Sequence, residues 1–314
     1  MNIVFGPVPS RRLGRSLGIN NIPPKHCSYS CLYCQVGKTS QTEIAPRVFF
    51  QPEKIVEAVK DRLSRLEPDE RVDYLTFVPD GEPTLDRNLA TSIKLLRELN
   101  INIAVISNAS LIWRDDVREA LKLADWVSLK IDSVDADCWR RINRPDPALR
   151  LQTILPAIQS FADGFDGFLA TETMLLEAIN TADEQINPLG DYLEQLQPDK
   201  AYLAIPTRPT AEAGMAAPDA ERLNAIYQTI KARLANVELL TGYEGNAFAA
   251  SGDPVEDLLA ITAVHPMRRD AVQTLLAKSQ SDWSIVANLV RKNQLRELQY
   301  QGKTYYLRAY RPKK

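Results

Sequence analysis

Short apolar runs alternate along this chain with segments in which an apolar residue recurs every three or four positions. The runs are rich in β-branched residues and predict buried strands, whereas the intervening segments predict amphipathic helices. The first of these helices begins at Pro52 and places Ile55, Val59 and Leu63 on one face. Parallel strands connected by helices are therefore expected. The predicted strands lie near Ser16–Asn20, Val72–Val78, Ile103–Ser107, Trp126–Ile131, Gly167–Met174 and Ala201–Ile205.

These runs predict the fold class as α/β, with a partial barrel of parallel strands. They amount to about six βα units, and Val237–Leu240 could add a further strand. Eight such units close a full TIM barrel, so a partial (β/α)6 TIM-like barrel fits the count best.

A change of pattern after residue 250 predicts a second, smaller domain. Gly242–Pro254 is rich in Gly, Asn, Ala, Ser and Asp, which is typical of a linker. Three helical patterns and then two alternating strands follow, which is the order of a winged helix. We therefore predict a barrel over 1–250 and a winged-helix-like domain over 251–314. The predicted elements are Val255–Val264, Met267–Lys278, Trp283–Lys292, Leu295–Tyr300 and Thr304–Tyr310.

The composition is that of a globular protein, with 45% hydrophobic and 25% charged residues among 314. No apolar run approaches the roughly 20 residues of a membrane span, so a membrane protein is not expected. Three of the four cysteines fall within eight residues, which favours a metal site in a reducing cytoplasm over disulfides. The net charge is −2, but residues 255–314 carry eleven Lys/Arg and five Asp/Glu. That basic end could meet an acidic partner such as RNA, or form a solvated face.

Cys27, Cys31 and Cys34 are the strongest candidates for chemistry. Their C-x3-C-x2-C spacing lets three thiolates converge, and thiolates select iron–sulfur clusters or zinc. A four-iron cluster ordinarily takes four cysteines, so three leave one iron open to a small ligand. The alternative is a closed Cys3His zinc site completed by His26. Adjacent residues such as His26 and Cys27 rarely reach one small ion together, which favours the open cluster.

A second motif, Asp80-Gly81-Glu82-Pro83-Thr84, follows the next predicted strand. Glycine lets the backbone approach a ligand closely, and a carboxylate such as Glu82 can hold an ammonium group. The same residues would also make an ordinary turn. Its place at the carboxyl end of a barrel strand, where barrel sites lie, favours a functional role.

The cysteine motif, with the aromatic Tyr33 before its last cysteine, resembles the cluster loop of the radical S-adenosylmethionine (SAM) superfamily. Asp80–Pro83 resembles that superfamily's Gly-Gly-Glu-Pro motif, which binds the amino group of SAM, although Asp80 replaces the first glycine. The resemblance implies a 4Fe–4S cluster on Cys27, Cys31 and Cys34. Further cofactor contacts would come from strand ends: Ser107 and Asn108, Ser128 and Lys130, and Glu172. Lys130 and Glu172 could equally be structural.

Two more segments, Gly6–Gly18 and Arg141–Pro145, resemble the wyosine-synthase-like Fe–S oxidoreductases of that superfamily. True wyosine synthases carry further cysteines for a second cluster. The fourth cysteine here, Cys138, lies in a predicted helix where a packed thiol is the default. A second cluster is therefore not expected.

The resemblance implies an enzyme that takes one electron from an external donor and cleaves SAM at the cluster. The resulting 5′-deoxyadenosyl radical abstracts hydrogen from a substrate. Arg11, Arg12 and Arg208 are candidate substrate contacts. Polar groups suited to nucleic acid lie on the third C-terminal helix and in the wing: Ser284, Asn288, Arg291, Lys292 and Lys303.

The identity of the substrate therefore depends on the C-terminal domain. A winged helix with such groups favours RNA, in particular tRNA. The alternatives are a peptide or protein substrate gripped by the same domain, a domain that only caps the barrel, and an Fe–S redox sensor that binds DNA. The sensor would leave Asp80–Thr84 without a purpose.

Overall fold

An eight-stranded sheet forms the body of the protein in the computed structural model, which describes residues 2–39, 41–67, 70–242, 245, 248 and 252–309. Its strands follow one another in space in the order of the sequence. They are β1 Val4–Ser10, β2 Gly14–Ile19, β3 Tyr74–Phe77, β4 Asn102–Ser107, β5 Trp126–Lys130, β6 Phe168–Met174, β7 Lys200–Ala204 and β8 Val237–Leu240.

Every neighbouring pair of this sheet from β2 to β8 is parallel, and β1 pairs with β2 in the antiparallel direction. This confirms the predicted α/β partial barrel. The sheet is wider than six units, because Val237–Leu240 is the seventh parallel strand. Sequence reasoning missed β1, which contains Pro7 and Pro9. Proline removes a ladder hydrogen bond and is tolerated at a sheet edge, which is where β1 lies.

Helices pack on the sheet through the apolar faces that the sequence predicts. Ile55 and Val59 are completely buried in the first helix, as are Leu75 and Phe77 on the adjacent strand β3. This side of the sheet therefore carries the main hydrophobic core. The helices of the body are α1 Pro52–Ser64, α2 Leu89–Leu96, α3 Asp115–Leu121, α4 Ala136–Asn143, α5 Leu151–Ala162, α6 Asp183–Leu196 and α7 Ala220–Lys231, with short 3₁₀ turns at Pro83–Leu85 and Arg97–Leu99.

The C-terminal part has the predicted order of three helices and a hairpin. Its elements are α8 Pro254–Val264, β9 Met267–Arg268, α9 Arg269–Lys278, α10 Ser284–Arg291, β10 Leu295–Tyr300 and β11 Lys303–Arg308. The short strand β9 joins the hairpin to make a three-stranded sheet, so the second helix starts two residues later than predicted. The predicted domain boundary after residue 250 lies outside the described residues. That this part is a winged-helix domain stays a prediction.

The C-terminal part packs directly on the edge of the large sheet. Phe5 and Val8 of β1 share a hydrophobic cluster with Leu258 and Ile261 of α8. Arg62 on α1 also makes an ion pair with the buried Asp257, at 2.7 Å. The C-terminal part is thus fixed to the barrel by apolar and charged contacts together.

Polar contacts extend this junction to the open end of the barrel. The hydroxyls of Tyr300 and Tyr305 donate to the carbonyls of Pro206 and Thr207, at 3.2 and 3.0 Å. The amide of Gln35 donates to the carbonyl of Val264 at 3.3 Å. The end of α8 therefore lies beside the loop that follows β2, and the hairpin of β10 and β11 lies beside the loop that follows β7. In the described part of the chain no helix has the length and apolar character needed to cross a bilayer.

Candidate functional site

Cys27, Cys31 and Cys34 lie together on the wall of a cavity of about 280 Å³. They belong to the loop after β2, and none of the three forms a disulfide. Backbone hydrogen bonds from Cys34 to Cys31 and from Gly37 to Cys34, both 3.2 Å, curl this loop tightly. The described cysteines therefore present free thiols to one shared space.

The same cavity collects most of the other residues predicted from the sequence. Apart from Tyr33, which lies in the cysteine loop, the predicted cofactor residues come from the ends of β3 to β6, where parallel strands place their carboxyl ends together. Pro83 and Ser128 are buried and are not among the residues that line the cavity. The predicted cofactor residues that do line it are Tyr33, Asp80, Gly81, Glu82, Ser107, Asn108, Lys130 and Glu172. The candidate substrate arginines Arg11, Arg12 and Arg208 line it as well.

Gly81 joins the second motif to the cysteine loop. It pairs with His26 in a parallel bridge, and the amide of Glu82 donates to the carbonyl of His26 at 2.9 Å. A Cβ atom on residue 81 would lie 2.1 Å from that carbonyl oxygen. Glycine is therefore required here by the close approach of two backbones, one of which leads directly into Cys27.

The carboxylate of Glu82 is occupied by donors from the protein itself. It accepts from the backbone amide and the hydroxyl of Thr84, the hydroxyl of Ser107 and the backbone amide of Asn108, at 2.7–3.1 Å. The residue is 1% exposed, and burial raises the pKa of its carboxyl. Glu82 thus fastens the ends of β3 and β4 to each other at the cavity wall. Its contact with an ammonium group stays a prediction.

Asp80, the residue that departs from the superfamily motif, has a partner of its own. Its carboxylate lies 3.0 Å from the ammonium of Lys25, which also donates to the carbonyl of Val36. A buried carboxylate is costly unless it is paired. Lys25 therefore compensates for aspartate at a position where glycine is usual in the motif. Sequence reasoning did not include Lys25, because nothing in the sequence connects the two positions.

Arg12, in the turn between β1 and β2, forms an ion triad with Lys130 at the end of β5 and Glu172 on β6. Glu172 on β6 pairs with both cations, and all three side chains are largely buried. Burial raises the pKa of the Glu172 carboxyl, but Arg12 and Lys130 outweigh it and lower the pKa to about 2. Lys130 also lies 5.2 Å from the centre of the Tyr33 ring. The triad carries a net charge of +1 beside the cysteine loop.

Two asparagine amides donate to the cysteine sulfurs. Asn108 lies 3.5 Å from Cys27 Sγ, and Asn143 lies 3.4 Å from Cys31 Sγ. Asn143 falls within Arg141–Pro145, one of the segments that carry the family resemblance, but it was not predicted as a site residue. It could have been found only from the fold, since α4 brings it to the loop from more than a hundred positions away.

The residues present fit an iron–sulfur cluster. Burial raises the pKa of all three thiols, that of Cys31 to about 12, so without a cation the thiolate forms are disfavoured. Bound iron would offset this cost, because metal ligation holds a cysteine as its thiolate. Three soft sulfur donors with amide donors around them suit iron chemistry.

The zinc alternative required His26 to join the cysteines. Its imidazole instead bonds to Glu43 and lies 2.9 Å from Arg47, and its ring packs against Phe49. His26 is also absent from the residues that line the cavity. These contacts do not favour a Cys3His site. The remaining cysteine, Cys138, is buried in α4 with its thiol 3.6 Å from the carbonyl of Ile179, as a packed thiol.

Comparison with known proteins decides the family. The model of the radical SAM superfamily matches residues 21–181, which include the cysteine loop and the Asp80–Pro83 motif. The chain belongs to the radical SAM superfamily. Radical SAM enzymes use a 4Fe–4S cluster and SAM, which are therefore the cofactors of this enzyme.

Curated relatives extend the similarity beyond this region. A UPF0026 protein of Methanocaldococcus jannaschii is 47% identical over 98% of this chain and 96% of its own length. A UPF0026 protein of Synechocystis is 37% identical over 66% of this chain and 76% of its own. The first of these matches includes the C-terminal part as well as the barrel.

Solved structures show the same fold. A radical SAM methyltransferase from Sphaerobacter thermophilus aligns with a TM-score of 0.56 and 16% identity over 72% of this chain and 66% of its own. TYW1 with a lysine-pyruvate adduct bound aligns at 0.55 and 16% over 70% of this chain and 74% of its own. These similarities confirm the partial barrel expected of a radical SAM enzyme.

Proposed function

We propose that Cys27, Cys31 and Cys34 hold the cluster, that SAM binds in the cavity beside them, and that the enzyme modifies RNA, with tRNA as the substrate. The observation that carries the proposal is the meeting of three free thiols with the ends of the parallel strands in one cavity. Cluster and SAM together supply one-electron cleavage of the sulfonium and abstraction of hydrogen from the substrate. The protein supplies binding, orientation and shielding.

Charges on the cavity wall suit the methionyl end of SAM. The triad of Arg12, Lys130 and Glu172 has one more positive than negative charge and is suited to a carboxylate. Backbone around Gly81 can approach the ligand closely, since glycine carries no side chain. Glu82 keeps that backbone in place through its bonds to Ser107 and Asn108.

Apolar side chains complete the wall around these groups. They come from the loops after β2, β3 and β7, from the ends of β4, β6 and β8, and from α8 of the C-terminal part. An apolar surround excludes water and strengthens the charged contacts inside it. The cavity is therefore suited to reactive chemistry that must be protected from solvent. The apolar residues include Val36, Val78, Ile106, Met174, Ile205, Leu240 and Val264.

The C-terminal part supports RNA as the substrate. Arg291, Lys292, Arg296 and Lys303 are exposed on α10 and the hairpin, and none makes an ion pair with a carboxylate of the described residues. Exposed lysine and arginine side chains that are not paired with a carboxylate can contact phosphates. Because Val264 at the end of α8 lines the cavity, the C-terminal part that would hold the RNA also reaches the site.

We expect the variant Arg291→Ala/Lys292→Ala/Lys303→Ala to bind bulk tRNA more weakly than the wild type. Each lost phosphate contact should flatten the plot of log affinity against log salt concentration by about 0.7–0.9. Filter binding over a range of salt concentrations measures both effects. SAM cleavage without substrate should be unchanged, because these residues do not line the cavity.

The matched control is Lys54→Ala/Lys60→Ala/Lys94→Ala, which removes three exposed charges from α1 and α2. It should bind tRNA like the wild type. A wild-type protein that has no affinity for tRNA, or an affinity independent of salt, would contradict an RNA substrate. A peptide or protein substrate would then be the better hypothesis.

A further inference from the structure

Asn143, at the end of α4, contacts the cysteine loop through both its backbone and its side chain. Its carbonyl accepts from the Ser30 amide, and the carbonyl of Ile142 accepts from the Leu32 amide, both at 3.0 Å. The last carbonyls of a helix have no partner within that helix. Here they bind the two residues on either side of Cys31, so that cysteine is fixed relative to α4.

The orientation of the Asn143 amide is set by a buried carboxylate. Its nitrogen lies 2.6 Å from Asp132 Oδ2, and the hydroxyl of Tyr33 donates a hydrogen bond to the same oxygen. The amide nitrogen of Asn143 therefore faces Asp132, and the amide oxygen faces away from it. The second hydrogen of that nitrogen remains available to Cys31 Sγ at 3.4 Å and to the Tyr33 oxygen at 3.5 Å.

A second amide is placed in the same way on a different element. Asn108, after β4, lies 3.5 Å from Cys27 Sγ, and its nitrogen also donates to the Ser28 hydroxyl at 3.0 Å. Its own oxygen accepts from the Ser110 amide at 2.9 Å, which fixes the orientation. Two of the three proposed cluster ligands thus each receive a side-chain N–H.

We infer that Asn143 is a positioning residue that raises the reduction potential of the cluster by donating a hydrogen bond to Cys31 Sγ. The inference rests on the proposed ligation by Cys27, Cys31 and Cys34. Reduction adds negative charge, part of which spreads onto the sulfurs. An N–H aimed at a sulfur stabilises the reduced state more than the oxidised state, and such bonds are among the factors that set cluster potentials.

The test is an EPR-monitored redox titration of anaerobically loaded full-length protein without SAM. Asn143→Leu keeps the number and branching of the side-chain heavy atoms and removes the N–H, so its midpoint potential should shift to a more negative value than that of the wild type. Asn180→Leu is the matched control. Asn180 is equally buried and donates to the carbonyls of Asp132 and Met174, both at 2.8 Å, so its loss should leave the potential unchanged.

The iron content of each protein shows whether a result concerns loss of the cluster or its reduction potential. An Asn143→Leu protein with full iron and the wild-type potential would overturn the inference, and so would an Asn180→Leu protein that shifts as far. If Asn143→Leu does not fold with its cluster, Asn143→Ser, whose shorter hydroxyl is withdrawn from Cys31, takes its place with the same expectations. A wild-type protein that binds no iron would overturn the cysteine assignment together with this inference, whereas loaded protein with unshifted variants overturns the inference alone.

Discussion

Gly81→Ala is expected to lower dithionite-driven SAM cleavage by about 100-fold, because a misplacement of about 1 Å at a reactive site has an effect of that size. The new Cβ atom would lie 2.1 Å from the backbone oxygen of His26, which a side-chain rotation cannot relieve. Either the cysteine loop or the Asp80–Pro83 loop must then move. The bond from the Glu82 amide to His26, 2.9 Å long, would be strained or lost.

Two measurements on the Gly81 variant separate local displacement from unfolding. Overpacking of this kind costs about 1–3 kcal/mol, so urea unfolding should still show a folded protein. The control is Gly164→Ala, where the nearest atom to the new Cβ is the Lys122 ammonium at 3.8 Å, an ordinary contact. It should cleave SAM at the wild-type rate. Equal rates for Gly81→Ala and the wild type would show that the two loops do not depend on each other.

Glu172→Gln is expected to lower the free energy of unfolding by about 3 kcal/mol at pH 7. The folded protein lowers the pKa of this carboxyl from 4.5 to about 2, and each unit is equivalent to about 1.4 kcal/mol. Glutamine has a similar shape but leaves Arg12 and Lys130 facing each other without the carboxylate between them. Urea unfolding of the wild type and the variant measures the difference.

The difference in the free energy of unfolding between the wild type and Glu172→Gln should also depend on pH. A carboxyl with a lowered pKa in the folded state stabilises the protein above its unfolded pKa. The contribution of Glu172 is therefore complete above about pH 4.5 and is lost as the pH falls towards 2, so the two stabilities should converge over that range. Glu238→Gln is the control, because Glu238 is 42% exposed and lies 3.5 Å from Lys200. A difference between wild type and Glu172→Gln that does not change with pH would contradict the ion triad.

Periodicity predicted most of the fold because each strand and helix buries its own apolar face. The parallel strands, the helices between them and the order of the C-terminal elements all followed from that pattern. The edge strand β1 did not, since its prolines conflict with the rules for a central strand. Met267–Arg268 was assigned to a helix because two residues are too few to show an alternating pattern, and only pairing with β11 reveals the strand.

The residues of the candidate site were also only partly predictable from the sequence. Cys27, Cys31 and Cys34 are close in sequence, so their spacing alone indicated a shared centre. Residues that act on them from other elements gave no such signal. Asn143 and Lys25 are identified only once the chain has folded. Ser128 was predicted as a cofactor contact, but it is buried and is not among the residues that line the cavity. Alternation along a strand did not show which residues at its end face the open cavity.

The central claim is that three cysteines hold a cluster at which SAM is cleaved. The most direct measurement is dithionite-driven SAM cleavage by anaerobically purified protein of known iron and sulfide content, compared with Cys31→Ala. The account predicts about four irons and four sulfides in the wild type, with 5′-deoxyadenosine as a product. It predicts loss of that product in the variant. A colourless wild-type protein that contains zinc, or a Cys31→Ala protein that still cleaves SAM, would contradict it.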